Sequence, residues 1–395
     1  MPLLRAAPAN NSMPESRPSE ADRGRAFELS RKATDLVEAR KWAEAEKALN
    51  ESLSLVPGNY VCLYNLALVH AMTDRNELAV EDLERATAAG FTDFELLQNT
   101  PAFVPLRDLP RFRRLLARKD EIRHAAAERM LGQLKAELGD RYIYRLDEPQ
   151  KLVFAAKIDR RALDEAAEGL RVEQESEEEQ IFSHPPQELT RVIIASSIDF
   201  NKLEHRVDVG GHYDDATRTI LVKRPGPELR HEFTHALHAA DQHALGQEHP
   251  VWLSEGLATL YEYPKTGPAT APSATQPGAT RIFPADNWRL ARVQAAAKHD
   301  FLIPLDKLLK MDRAAFTTRA DLAYGESGSL LLYLDERKLL KPFYDAYTAG
   351  YSKDSTGRQA LESVTRMSLT DLQNAWVAWL LPRPVPPRGA SSLTR

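Results

Sequence analysis

A single cysteine, Cys62, stands in a chain of 395 residues. That excludes an internal disulfide and any zinc site built on thiolates, and it agrees with a reducing compartment. The neighbours Val61 and Leu63 predict a buried thiol. Charge of one sign is also lacking: 52 Lys and Arg against 57 Asp and Glu leave a net −5. No basic field exists to gather nucleic acid or anionic membrane, so neither is an expected partner. Long apolar runs are missing as well. The opening "MPLLRAAPANNSMPESRPSEADRG" holds only Leu3 and Leu4 before polar, proline-rich sequence, too little for a signal peptide or a spanning helix. The expectation is a soluble, cytoplasmic protein; a misassigned start codon would hide a leader and make it secreted or periplasmic.

What is present begins with a repeat. Ala33 recurs as Ala67, Ala45 as Ala79, Leu29 as Leu63, Leu49 as Leu83 and Ser52 as Ala86, each pair 34 positions apart. Small residues at fixed places let paired helices approach, and leucines fill between them. "WAEAEKALNESLSLVPGN" and "LYNLALVHAMTDRNELAVEDLERATAAG" carry the pattern, which resembles the tetratricopeptide repeat, with Leu29 and Leu63 where a tryptophan is usual. About two repeats are visible, so a capping helix, "LPRFRRLLARKDEIRHAAAERMLGQLKAEL", is expected to complete the stack. Such modules bind peptides or partner proteins, and a protein partner on the repeats is expected.

From about residue 140 the pattern changes. "RYIYRL", "KLVFAAKI", "TRVIIASS" and "TRTILVKR" read as strands, and "DRRALDEAAEGLRVEQESEEEQIF" as a helix opening on Asp159. The acidic "EQESEEEQ" reads as a solvated helical face, and "VGGHYDDATRT" as a turn. "PVWLSEGLATLYEY" is helical in period. The following 264–284 loop, rich in Pro, Ala, Thr and Gly, is either a flap beside a cleft or a surface insertion. Helices occupy the rest. The expected fold class is α+β, with domains at 1–23 (disordered), 24–118 (helical repeats), 119–139 (connecting helix), 140–381 (strands, then a mostly helical lobe) and 382–395 (disordered tail).

Chemistry concentrates in "RHEFTHALH". Pro227 fits the first turn of a helix, and residues 228 to 242 contain neither proline nor glycine. Histidines at i and i+4 lie about 40° apart on the wheel and one turn apart along the axis, so His231 and His235 can reach one metal ion. Glu232 then sits beside the open side, where it can take a proton from water. Two histidines and a glutamate are only moderately specific, and a catalytic zinc needs three protein ligands and one open position. Glu255 in "WLSEGLAT", 20 positions past His235, suits the third place, because a helix holds a ligand more firmly than the pre-proline loop of His249 or Glu248. His238 lies about 10 Å along the axis from His231 and more naturally packs.

These segments, with "GGHYDDATRTILV" before and "AYGESGSLLLYL" after, resemble the gluzincin metallopeptidases, most closely the bacterial peptidase MA-like group whose members often follow tetratricopeptide repeats. The resemblance covers residues 190 to 380. It implies one zinc per chain on His231, His235 and Glu255, Glu232 as general base, and a thermolysin-like lobe with an edge strand near Thr219 to Val222 lining the cleft. It also implies an oxyanion donor at Tyr324, although a helical tyrosine before a glycine is more often packing. Thr259, four past Glu255, departs from relatives that place an acid there, so another acceptor must orient the histidines. A peptide or protein substrate is expected. No acidic pair that captures a free amine is evident, which favours endopeptidase action. A zinc-holding scaffold without turnover is the alternative.

Overall fold

Reciprocal capping starts the first helix. Ser19 Oγ accepts from the Asp22 amide and the Asp22 carboxylate accepts from the Ser19 amide, so α1 (Glu20–Glu38) begins inside the stretch expected to be disordered to residue 23. In the computed structural model of the chain, residues 19–204, 210–262, 265–266, 280–281 and 288–383 are described. Most of the 264–284 loop and nearly all of the tail from 382 fall outside them.

α1 pairs with α2 (Trp42–Leu55), and α3 (Tyr60–Met72) with α4 (Asn76–Ala88). The repeat positions Ala33, Ala45, Leu49, Ser52, Leu63, Ala67, Ala79, Leu83 and Ala86 are all buried, whereas Leu29 is half-buried. The expected capping helix is interrupted. After α5 (Phe94–Asn99) and a 3-10 helix at Pro101–Asp108, the chain forms α6 (Pro110–Ala117) and, past Arg118, α7 (Lys119–Leu138). Cys62 is fully buried, as its neighbours predict.

The chain divides into two compact units, Met1–Leu163 with Pro186–Lys223, and Asp164–Pro185 with Arg224–Arg395. The sheet lies in the first. β1 (Ile143–Asp147) and β2 (Leu152–Ala156) are antiparallel, β2 is parallel to β3 (Thr190–Ile194), and the helices α8 (Arg160–Gln180) and α9 (Ser197–Leu203) flank β3 in sequence. β4 (Gly211–Asp214) and β5 (Thr219–Val222) follow, giving the order β1-β2-β3-β5-β4. Val153, Ala155, Ile193 and Leu221 share a core with Ala126, Ala127 and Leu134 of α7, which is why the strands group with the preceding helices rather than with residues 224 onward. Two expectations change. Part of "VGGHYDDATRT" is itself a strand, and Thr219–Val222 is interior, because β4 takes the edge beside it.

Among the described residues, the regular structure of the second unit is helical apart from a two-residue ladder between β6 (Lys265–Thr266) and β7 (Thr280–Arg281). It runs from the end of α8 to α10 (Pro227–Leu245), α11 (Val251–Tyr261), α12 (Trp288–Lys298), α13 (Leu305–Leu308), α14 (Arg313–Thr318), α15 (Ala320–Glu336), α16 (Leu340–Gly350), α17 (Arg358–Thr365) and α18 (Leu369–Leu380). α11 packs on both α10 and α15, and α12 packs on α15. The acidic segment of α8 is not wholly solvated. Glu173 and Glu177 are buried, Glu173 accepting from Arg230 at 2.8 Å and Glu177 from Thr234 at 2.8 Å, so one face of the run docks on α10. No helix among the described residues is long and apolar enough to cross a membrane.

Candidate metal centre

α10 forms where the sequence allows it. Pro227 occupies the first turn after Gly226, and Gly246 closes the helix in the left-handed region at φ 64°, which a residue without Cβ adopts freely. Leu229, Phe233, Ala236 and Leu237 are buried and fix the helix, leaving His231 and His235 one turn apart. α11 starts after Pro250, and the indole of Trp252 donates to the Thr356 carbonyl at 3.0 Å, anchoring the helix that carries Glu255.

The three expected ligands meet. His235 Nε2 lies 3.2 Å from His231 Nε2, and Glu255 Oε2 lies 3.4 Å from His231 Nε2 and 3.3 Å from His235 Nε2. With zinc bonds of about 2.0–2.1 Å, the edge of a coordination tetrahedron is roughly 3.3 Å, so one face of it fits these atoms. His231, His235 and Glu255 are also the one group of three or more such side chains among the described residues whose ligand atoms converge, all within 4.8 Å of one another. Two imidazoles and a carboxylate are the borderline-soft nitrogen and oxygen set that zinc favours.

The acceptor left unidentified at Thr259 is Glu262. Its Oε1 lies 3.0 Å from His231 Nδ1, and because a carboxylate only accepts, Nδ1 is the donor and Nε2 points at the centre. Glu262 in turn accepts from Arg289 Nη1 at 2.8 and 2.7 Å. Sequence reasoning missed it, although a signal existed: Glu262 is seven past Glu255, about two helical turns along the same face. Thr259 is buried against α15, where its Cγ2 would stand 2.7 Å from a Cβ added to Gly328. No acid fits there. His235 Nδ1 lies 3.3 Å from Ser254 Oγ, and Glu255 Oε1 accepts from Arg313 Nη1 at 3.0 Å.

These contacts set the electrostatics. Burial opposes charge on His231, but Glu255 and Glu262 at its two ring nitrogens outweigh it and push its pKa up to about 10. Burial likewise opposes a charged Glu255, yet His235 and His231 hold its carboxyl well below the usual range. Tyr324 is on α15, its ring centroid 6.2 Å from that of His231 and 5.1 Å from that of Phe316. Burial, then the negative charge of Glu255, raise its phenol above the ordinary value, with Arg313 opposing and Glu232 adding to the rise. The hydroxyl thus stays protonated and able to donate. Glu232 is buried on the turn that carries His231, and it is not one of the converging three.

The rejected candidates lie apart. His238 Nε2 pairs with His249 Nδ1 at 2.7 Å, and His249 Nε2 lies 3.0 Å from Gln247 Oε1. Burial holds both imidazoles neutral, His249 with its pKa lowered to about 4. His238 stacks on Phe182 with ring centroids 5.4 Å apart, which is the packing role its place on the helix predicts.

The chain matches no protein-family model, and a search of curated proteins likewise finds no match. What the site can do therefore rests on its own geometry.

Proposed function

We propose that the chain is a zinc-dependent peptidase of the gluzincin type, with a thermolysin-like catalytic lobe and tetratricopeptide-like N-terminal repeats that recruit substrate or a protein partner. One observation carries the reading. His231, His235 and Glu255 present three donor atoms at 3.2 to 3.4 Å from one another, while Glu232, one residue from a ligand, is left out of the set. A purely structural site has no use for a buried carboxylate beside the ligands; hydrolysis does.

His231, His235 and Glu255 would hold the zinc, which would supply Lewis acidity and lower the pKa of a water molecule there. Glu232 accepts the proton from that water and returns it to the leaving amine, so the carboxylate ends each cycle as it began. The Tyr324 hydroxyl donates to the oxygen that gains charge as the carbonyl becomes tetrahedral. Glu262 and Ser254 hold the histidine rings in place, and Arg313 holds the outer oxygen of Glu255.

The test couples metal analysis to digestion of a peptide library. About one zinc per chain and cleavage products are expected for the parent. Glu232→Gln is expected to keep the zinc and lose hydrolysis. A chain that takes up no zinc after supplementation refutes the site; a Glu232→Gln variant as active as the parent refutes the mechanism. Zinc without cleavage in the parent would leave the scaffold alternative.

A further inference from the structure

We infer that Arg289 is a positioning residue that sets two members of the site at once: His231 through Glu262, and Tyr324 through its ring. The inference rests on the zinc peptidase reading. Arg289 stands in the first turn of α12, and its Nη1 bridges both carboxylate oxygens of Glu262 at 2.8 and 2.7 Å. The Glu262 side chain is 6% exposed and that of Arg289 25%, so water screens this pair far less than a surface one. Glu262 then reaches His231 Nδ1 at 3.0 Å. Without Arg289 the carboxylate would be buried with the His231 imidazole as its remaining partner among the described residues, free to turn away from the ring or toward the other two side chains. With it, the carboxylate is held in the orientation that directs His231 Nε2 inward.

The same guanidinium faces Tyr324, its Cζ 5.7 Å from the ring centroid. A cation over the ring fixes the ring plane, and with it the direction in which the hydroxyl points. The backbone supports this placement. A Cβ added to Gly325 would stand 3.1 Å from the Arg289 carbonyl oxygen and 2.6 Å from Val293 Cγ2, so α12 lies directly against α15 one residue from Tyr324. One side chain thereby couples the ligand geometry on α10 to the donor on α15.

Arg289→Met in the full chain tests this by zinc affinity, measured in chelator competition, and by a double-mutant cycle with Tyr324→Phe read as kcat on a cleaved peptide. Zinc affinity is expected to fall about 10- to 100-fold, the usual cost of losing an outer-shell partner. The kcat loss on Tyr324→Phe is expected to shrink several-fold in the Arg289→Met background, because the hydroxyl is then already misdirected. Parental zinc affinity in the variant, or kcat losses that simply multiply, overturns the inference. Should Arg289→Met fail to fold, Arg289→Gln carries the same two comparisons with a polar group in place. A parent that binds zinc and cleaves nothing removes the hydrolytic reading alone, and the zinc comparison still decides for or against Arg289.

Discussion

Gly256, the residue after Glu255, is where packing and chemistry are most tightly joined, and Gly256→Ala is the sharpest test of that joint. A Cβ there would meet Leu331 Cδ1 at 2.9 Å, Ser327 Cβ at 3.0 Å and the Ser327 carbonyl carbon at 3.2 Å. Carbon pairs settle at about 3.5–4.0 Å, so α11 and α15 must part by roughly 0.5 Å. The leucine methyl can rotate aside; the serine Cβ and backbone cannot. Alanine gains about 1 kcal/mol over glycine inside a helix, and overpacking costs about 1–3 kcal/mol, so a net loss of about 0–2 kcal/mol is expected. The functional effect should be larger than the thermal one. The shift carries Glu255 and Glu262 together away from Tyr324, and since a 1 Å misplacement can cost about 100-fold, a loss of about tenfold in kcat/KM is expected. Gly132→Ala is the matched control, on the exposed face of α7 with nothing within 4 Å, where the same change should stabilise by about 0.5–1 kcal/mol. Thermal unfolding, zinc affinity and peptide turnover are compared for the two variants. If Gly256→Ala stabilises as much as Gly132→Ala and turns over peptide at the parental rate, the close approach of the two helices does not govern the site.

Three further outcomes are expected. Tyr324→Phe should lower kcat about 100-fold with zinc affinity unchanged, as loss of one oxyanion donor does; an equal fall in zinc affinity would make Tyr324 a packing residue instead. His249→Gln should keep one zinc per chain. Because the His249 pKa is lowered to about 4 in the fold, its neutral form contributes stability above about pH 6.5 that is lost as pH falls toward 4, and thermal melts of the variant should decline less steeply over that window. Burial opposes charge on His70, but hydrogen bonds from its Nδ1 to Asp82 at 2.7 Å and its Nε2 to Glu46 at 3.3 Å raise its pKa above the ordinary value. Its contribution is therefore complete below about pH 6.5 and lost as pH rises through the raised value, so the melting temperature of His70→Gln should approach that of the parent on the alkaline side and diverge below it.

The convergence of His231, His235 and Glu255 was legible because its signal is local and periodic. The i, i+4 spacing of His231 and His235 needs only an uninterrupted helix, which the absence of Pro and Gly from 228 to 242 provides. Glu255 followed from the length of the turn and a second apolar period. Pairings across distance were not legible. The acidic run of α8 has the composition of a solvated face, yet Glu173 and Glu177 are buried because α10 offers Arg230 and Thr234 to receive them. β4 was lost in a turn signal, because "HYD" has no alternation long enough to read as a strand, and pairing with β5 supplies what the four residues Gly211–Asp214 lack alone. Arg289 and Arg313 carry no sequence signal at all. Each lies in the first turn of a helix, like many solvent-exposed arginines, and only the fold brings them to Glu262 and Glu255.

The positions after Glu255 show how packing decides which residue serves His231. Four residues on, about 40° around the wheel, Thr259 faces α15, and the contact is so close that Gly328 opposite it has no room for a side chain. A carboxylate at 259 would be pressed into that contact without a cation to receive it. Seven residues on, about 20° from Glu255 on the wheel, Glu262 stands at the end of α11, where α12 brings Arg289 to within 2.8 Å. The acid that orients His231 is therefore found one turn later, where a counter-charge is available, and the tight α11 and α15 contact is the reason it is not found earlier. On this argument Thr259→Asp cannot substitute for Glu262 in a Glu262→Gln background. Restored zinc affinity in that double variant would show that the helices can part at Gly328 and that packing does not fix the acceptor.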